Sequence, residues 1–266
     1  MRYLRKIIWV VFILLLFSNL GNGQSISISL KGGFFIPATS DFSGPLVDAF
    51  NLKLGNKVDL FEKVGFLSVE SRDMPDIGNY RTAGAEIELS IHENIAIAIG
   101  MEYGKRSASS YFETRTIGSD NYVYSREYTL EISILPVYAT IRYYFFRQDF
   151  DWYAGIGLGF HTVTIHGSSQ FEELTESGED LYWDAEGSAL IPHLNTGVMY
   201  KFNRWFGIAL DFRYVHGKIS EFEVKESENH ELIGKPLLLP IGERASDRFE
   251  QNFRGFSTLL ALRFSF

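Results

Sequence analysis

Phe256-Ser-Thr-Leu-Leu-Ala-Leu-Arg-Phe-Ser-Phe266 alternates two kinds of residue. Even positions carry Phe256, Thr258, Leu260, Leu262, Phe264 and Phe266. Odd positions carry Ser257, Ala261, Arg263 and Ser265, with Leu259 the one exception. A period of two belongs to a strand, whose successive side chains point to opposite faces. One face is apolar and aromatic, the other small and polar. In water a strand gains little by ending on an exposed phenylalanine; with its aromatic face in lipid it gains a good deal.

The alternation recurs seven times upstream. Strands are predicted over Ser25–Ile36, Thr82–His92, Ile95 to about Tyr103, Arg126–Phe146, Trp152 to about Ile165, Ala189–Phe202 and Phe206 to about Ile219. The fourth changes phase at Leu135-Pro136, which predicts a β-bulge there. Three connections are short: His92–Asn94, Arg147–Asp151 and Asn203–Trp205. Four are long: Pro37–Arg81, Gly104–Ser125, His166–Ser188 and Ser220–Phe253.

This pattern predicts an all-β fold: an eight-stranded antiparallel transmembrane up-and-down β-barrel with long extracellular loops. The alternative is ten strands, with an extra hairpin around Phe61–Glu70. The sheet must close, because lipid offers no partner to an unpaired edge. A soluble lipocalin-like barrel would turn its apolar side inward and leave the aromatic rims unexplained. Those rims are expected at Tyr143, Phe145, Trp152, Phe202, Phe206, Phe264 and Phe266 on the short-turn side. On the loop side they are Tyr103, Tyr128, Phe160, Tyr214 and Phe256.

Residues 1–23 read as a secretory signal peptide: Met1-Arg-Tyr-Leu-Arg-Lys6, an uncharged core Ile7–Phe17, then small residues ending at Gly23. The barrel domain would then be residues 24–266. The core is too short to span a bilayer as a helix, which needs about 20 residues. Three of the 25 Lys and Arg lie in the signal, so 22 face 33 Asp and Glu, a net −11 that argues against nucleic acid as a partner. There is no Cys, hence no disulfide and no lipoprotein attachment site. Aromatics at 15% suit a barrel with aromatic rims.

Ile141-Arg-Tyr-Tyr-Phe-Phe146, Tyr153-Ala-Gly-Ile-Gly-Leu-Gly159 and Leu210-Asp-Phe-Arg-Tyr-Val215 are the segments through which the chain resembles the small outer-membrane barrels of OmpA, OmpX and OmpW type. Such generic barrel families are common among Bacteroidetes-like bacteria. The resemblance covers the whole chain after the signal and implies architecture rather than activity. It implies a bacterial outer-membrane location with periplasmic termini and extracellular long loops. Outer-membrane lipid, lipopolysaccharide and the barrel-assembly machinery are the implied partners, the last reading Phe264 and Phe266. No peptidoglycan-binding domain is expected after the last strand, unlike in a full OmpA-type anchor.

Gly155, Gly157 and Gly159 are not a phosphate-cradling fingerprint, which must join a strand to a helix. They are expected to face inward opposite Arg142, Thr140 and Tyr138. The predicted inward set is charged: Lys31, Glu86, Glu88, His92, Glu102, Glu131, Arg142, His193, Lys201, Asp211, Arg213 and Arg263. Charges in so narrow a lumen must pair. Glu88, Arg142 and Arg263 are expected low, near the short turns. Glu86, Glu102, Asp211, Arg213 and Lys31 are expected at a middle level, with Arg213 near Glu86 and Asp211.

His166-Gly-Ser168 has the His and Ser spacing of outer-membrane lipid A deacylases, but Ser169 stands where that pattern has Asn. The third loop is acidic, with Glu172, Glu173, Glu176, Glu179, Asp180, Asp184 and Glu186. The first contains Pro45–Leu54, which reads as a short amphipathic helix, and the fourth an apolar run, Pro236–Ile241. The expected function is a non-enzymatic barrel without cofactor, acting through its loops on a surface or on another envelope protein. The alternatives are an OmpW-type small-molecule channel and a lipid A-modifying enzyme.

Overall fold

Eight long strands pair into a closed ring in the computed structural model, which describes residues 25–37, 47–48, 51, 55, 68–115, 123–173, 181–237 and 249–266. The signal assigned to residues 1–23 lies outside them. The described strands are β1 (Ile26–Pro37), β2 (Ser68–Arg72), β3 (Tyr80–His92), β4 (Ile95–Arg115), β5 (Val123–Arg147), β6 (Phe150–Glu173), β7 (Leu181–Lys201), β8 (Phe206–Ile219), β9 (Phe222–Ser227) and β10 (Gln251–Ser265). The ring runs β1-β3-β4-β5-β6-β7-β8-β10 and closes on β1, all antiparallel. Ile28 of β1 pairs with Phe264 of β10, so the C-terminal strand seals the sheet. β2 and β9 stand outside the ring. Each pairs only with the far end of a barrel strand: β2 with Tyr111–Arg115 of β4, β9 with Gly187–Trp183 of β7. The ten-strand alternative fails for this reason: the added segment near Glu70 extends one wall and does not enter the ring.

Strand lengths depart from expectation. Strands β4, β5, β6 and β7 have 21, 25, 24 and 21 residues, whereas a tilted strand crosses a bilayer with about 9–11. Much of what read as the second and third loops, Gly104–Ser125 and His166–Ser188, is therefore strand. The barrel stands well clear of the membrane at its loop end.

That excess length explains the phase change at Leu135-Pro136. No bulge is present there, and the pairing of β5 with β6 runs unbroken from Ile134↔Val163 to Pro136↔His161. What changes is the side on which the apolar residues lie. Toward the turns, Val137, Ile141 and Tyr143 point outward and are exposed. Past Pro136, Leu130, Ile132 and Ile134 point inward and are buried. β6 does the same. Ile156, Leu158 and Phe160 face out, then Val163 and Ile165 face in while Thr162, Thr164 and Ser168 take the outer face. The register shift in β5 falls instead at Tyr144/Phe146 and turns both Phe145 and Phe146 outward.

Below this crossing the barrel is apolar outside and polar inside, as lipid requires. Above it the chain builds an ordinary water-soluble barrel. Leu130, Ile132, Ile165, Ile191, Ile219 and Phe253 fill its axis at 2% exposure or less, each such side chain contributing about 1.5–3 kcal/mol on burial. Val47, Met74, Ile77, Phe222 and Phe249 close over that cluster. Asn51 fastens the lid, donating from its side-chain amide to the Met74 carbonyl (3.0 Å) and accepting from the Met74 N–H (2.8 Å). Tyr128, expected on the outer aromatic rim, packs against this interior cluster instead. The other expected rim aromatics lie on the outward face, and several of them touch. Phe206 and Phe264 have ring centres 5.5 Å apart, Phe145 and Trp152 4.8 Å, and Tyr214 and Phe256 4.8 Å.

Candidate functional site

The membrane-level lumen holds a ladder of ion pairs, continuous from Arg263 to Asp211, with a separate pair above it. Each member comes from the inward parity of its strand: odd on β1, β8 and β10, even on β3, β4 and β5. Nearest the turns, Arg263 donates to Ser27 Oγ (2.6 Å), to the Tyr144 hydroxyl (3.0 Å) and to Glu88. Tyr144 in turn donates to Glu88 Oε1 (2.6 Å). Arg142 joins two rungs, with Nη1 2.6 Å from both Glu88 Oε2 and Glu86 Oε1, and Nη2 2.7 Å from Glu86 Oε2. Lys31 carries the chain onward, 2.8 Å from Glu86 and 2.6 Å from Asp211. Above these, Arg213 donates to Glu102 (2.8 Å) and lies over the Tyr138 ring at 3.9 Å.

The structure thus brings together Glu86, Glu88, Arg142 and Arg263 with Lys31 and Asp211. It sets Arg213 apart. Arg213 takes Glu102 as its partner, where Glu86 and Asp211 were expected, because Lys31 already occupies both of those carboxylates. Two expected inward residues lie elsewhere. Glu131 has the outward parity of β5 and pairs with Lys105 at 2.7 Å on the outer wall. His92 is exposed at the β3–β4 turn, just past the register shift at Ser90/His92. Tyr144, Tyr153 and Ser27 were not foreseen as lumen groups. Their signal was parity, since Tyr144 shares the Arg142 face and Tyr153 that of Gly155.

Lys31, Arg142, Arg213 and Arg263 oppose Glu86, Glu88, Glu102 and Asp211, four charges against four. All eight are at most 6% exposed. Burying charges costs several kcal/mol each unless partners and hydrogen bonds compensate. Here every carboxylate holds at least one cation. The glycines make the space. Arg142 lies opposite Gly155, Thr140 opposite Gly157 and Tyr138 opposite Gly159. A Cβ on Gly157 would meet the Ala139 carbonyl oxygen at 2.2 Å and the His193 ring at 2.6 Å. His193 uses that room to reach Thr140 Oγ1 at 2.8 Å.

The ladder and the apolar cluster above it are stacked, and a cavity of only about 20 Å³ separates them beside His161 and Arg213. At the turn end the lumen opens into a larger cavity of about 460 Å³. Lys201 and Asp151 pair at 2.7 Å in its wall.

On the outer wall of the loop end, His166 and Ser168 share the outward face of β6 inside a regular strand. His166 Nδ1 contacts the Asp184 carboxylate on β7. Glu186 lies on the same outer face of β7, whereas Glu176, Glu179 and Asp180 fall outside the described residues. So does most of Pro45–Leu54, although Val47 is buried in the lid. Of Pro236–Ile241 only Pro236 and Leu237 are described, and Leu237 packs on the apolar cluster.

Comparison with curated proteins finds no match. Among solved structures the fold is similar to Neisserial surface protein A (11% identity, 92% of this chain and 100% of that one, TM-score 0.42). It is also similar to the attachment invasion locus protein Ail of Yersinia pestis (9% identity, 92% and 100%, TM-score 0.37). A third is the outer membrane protein OprG of Pseudomonas aeruginosa (10% identity, 90% and 95%, TM-score 0.38). The family described as "Outer membrane protein beta-barrel domain" matches residues 49–233, more than half of the chain. With its closed eight-stranded ring, lipid-type exterior and matching family profile, the chain belongs to the outer membrane protein beta-barrel domain family of bacterial outer-membrane proteins.

Proposed function

We propose that the protein is a sealed, non-enzymatic barrel that presents its raised loop end to a surface or to another envelope protein. The carrying observation is the double closure of the lumen, by a charge-balanced ladder at membrane level and by an apolar core above it. A lumen filled twice by different chemistry serves as a rigid post. Strands of more than 20 residues lift the rim away from the lipid, and loop residues on a rigid scaffold are where recognition concentrates. In this reading the turn end faces the periplasm and the long loops face outward. Lipid and lipopolysaccharide surround the wall, and Phe264 and Phe266 on the last strand are read by the assembly machinery.

Co-purification in mild detergent tests the role, and planar-bilayer recording tests the seal. A stoichiometric partner held through the loop end, with no steady current, is expected. A steady current from the wild-type barrel would favour the channel, and a mass shift of lipid A on overexpression the enzyme.

A further inference from the structure

The cavity of about 460 Å³ at the turn end is lined by four cations, Arg147, Lys201, Arg204 and Arg263, by the Asp151 carboxylate and by Phe266, whose α-carboxylate also receives the Ile26 N–H at 3.4 Å. Two of the cations are already neutralised, Lys201 by Asp151 and Arg263 by Glu88. Arg147 and Arg204 pair with no carboxylate among the described residues. Arg147 is nevertheless held in place: its guanidinium lies 3.9 Å from the Tyr144 ring centre and donates to Ser90 Oγ at 3.2 Å. Arg204 lies over the Trp205 ring at 4.7 Å. The Nε groups of Arg147 and Arg263 are buried and without a hydrogen-bond partner, and Arg263 as a whole is only 6% exposed. The ladder behind this cavity is balanced and the whole chain carries a formal −8. With the Phe266 α-carboxylate set against one of these two guanidiniums, the concave pocket keeps one surplus positive charge. It is therefore a local reversal of sign, and low-dielectric walls focus such a field on whatever enters.

We propose that this turn-end cavity binds a phosphate group, held by Arg147 and Arg204 with serine hydroxyls from β1 and β3 lining the same space. Guanidinium forks match phosphate oxygens, and a phosphate has enough acceptors to meet two forks and nearby hydroxyls at once. The volume lies in the range of small-molecule sites and exceeds a bare ion, leaving room for the substituent the phosphate carries. Phe266 and Trp205, both exposed aromatics, form part of the lining, so the mouth lies at the level of the aromatic rim. A lipid headgroup or a soluble phosphate could enter there. The site does not depend on the loop-end role proposed above.

Calorimetric titration of the purified full-length barrel in detergent tests this, using inorganic phosphate against chloride at equal ionic strength, then micelles containing dimyristoyl phosphatidylglycerol. Saturable binding is expected for at least one probe. It should weaken at least tenfold in the double variant Arg147→Gln/Arg204→Gln and stay unchanged in Arg254→Gln at the opposite end. Saturation by phosphate alone identifies a soluble ligand, and saturation by the lipid alone identifies a headgroup. No saturable binding of either probe by the folded wild type overturns the proposal. So does undiminished binding by a double variant whose heat-modifiable gel mobility shows it folded.

Discussion

Arg142 and Glu86 meet across the lumen in a two-point contact, Nη1 to Oε1 at 2.6 Å and Nη2 to Oε2 at 2.7 Å. The fork geometry fixes both side chains, and the second carboxylate, Glu88, shares the Arg142 Nη1. Removing the arginine would leave two carboxylates short of a partner in a place water does not reach. Arg142→Ala should lower unfolding stability by about 3–5 kcal/mol, read by urea titration in detergent. Adding Glu88→Gln should restore part of the loss. Current through the variant should stay near background, because the apolar core above remains. A stable, conducting Arg142→Ala barrel would contradict the seal.

The crossing of the apolar set from outside to inside makes a depth-dependent prediction on a single face of β6. Ile156→Lys places a charge on the lipid face midway between the rims at Trp152 and Phe160 and should cost about 2–4 kcal/mol. Thr164→Lys lies on the same outer face but above the crossing and should change stability by no more than about 0.5 kcal/mol. Equal costs at the two sites would mean that the upper outer wall also lies in lipid.

The inner face of the same strand gives the converse. Ile165 is fully buried in the upper core, so Ile165→Ala should destabilise by about 2–5 kcal/mol. Loss of the upper core should appear as premature protease cutting above the crossing while the membrane-level ring stays folded on gels. A uniform loss of folded barrel would show that the two halves unfold as one.

Gly157→Ala should sharply reduce folded yield. Trimming His193 in the same molecule should not restore it, because the new Cβ also meets the Ala139 carbonyl at 2.2 Å, and backbone cannot be cut away. Heat-modifiable mobility of the single and double variants decides this. Rescue by His193→Gly would show that the ring, and not the neighbouring strand, sets the limit.

Phe264→Ser with Phe266→Ser should lower the outer-membrane level severely. Burial of the two rings, about 1.5–3 kcal/mol each, is too small to account for such a loss, which would point to recognition during assembly. Quantitative blotting of membrane fractions measures it, and unchanged levels would remove the assembly role.

The ring was legible because period two leaves a strong mark where one face is lipid and the other polar. β8 falls at Phe206–Ile219, the span its alternation marks, and the Gly155, Gly157 and Gly159 pairings follow from a short hairpin. Strand ends were illegible for a physical reason. Past Pro136 and Phe160 the outer face becomes threonine, serine and charge, a composition that also suits loops, while the apolar residues continue on the opposite parity. A parity switch without a change of conformation looks, in one dimension, like a bulge. The ladder was legible to within a rung. Membership follows from parity, but the partner of Arg213 depends on Lys31 reaching across from β1 to Asp211, a three-dimensional competition that residue counting cannot resolve.

The switch of sidedness also works as a waterline. On β6, Phe160 is the last large outward apolar residue, and Thr162 and Thr164 follow it on the same face. Leu190 with Ser188 on β7, and Phe256 with Arg254 on β10, repeat the step. Sinking the barrel by two residues, roughly 7 Å along each strand, would drown a ring of hydroxyls and charges in hydrocarbon. Raising it equally would strand a ring of aromatics in water. Its draught in the bilayer is thereby set to about one rung, and a membrane of different thickness would have to bend to meet the barrel.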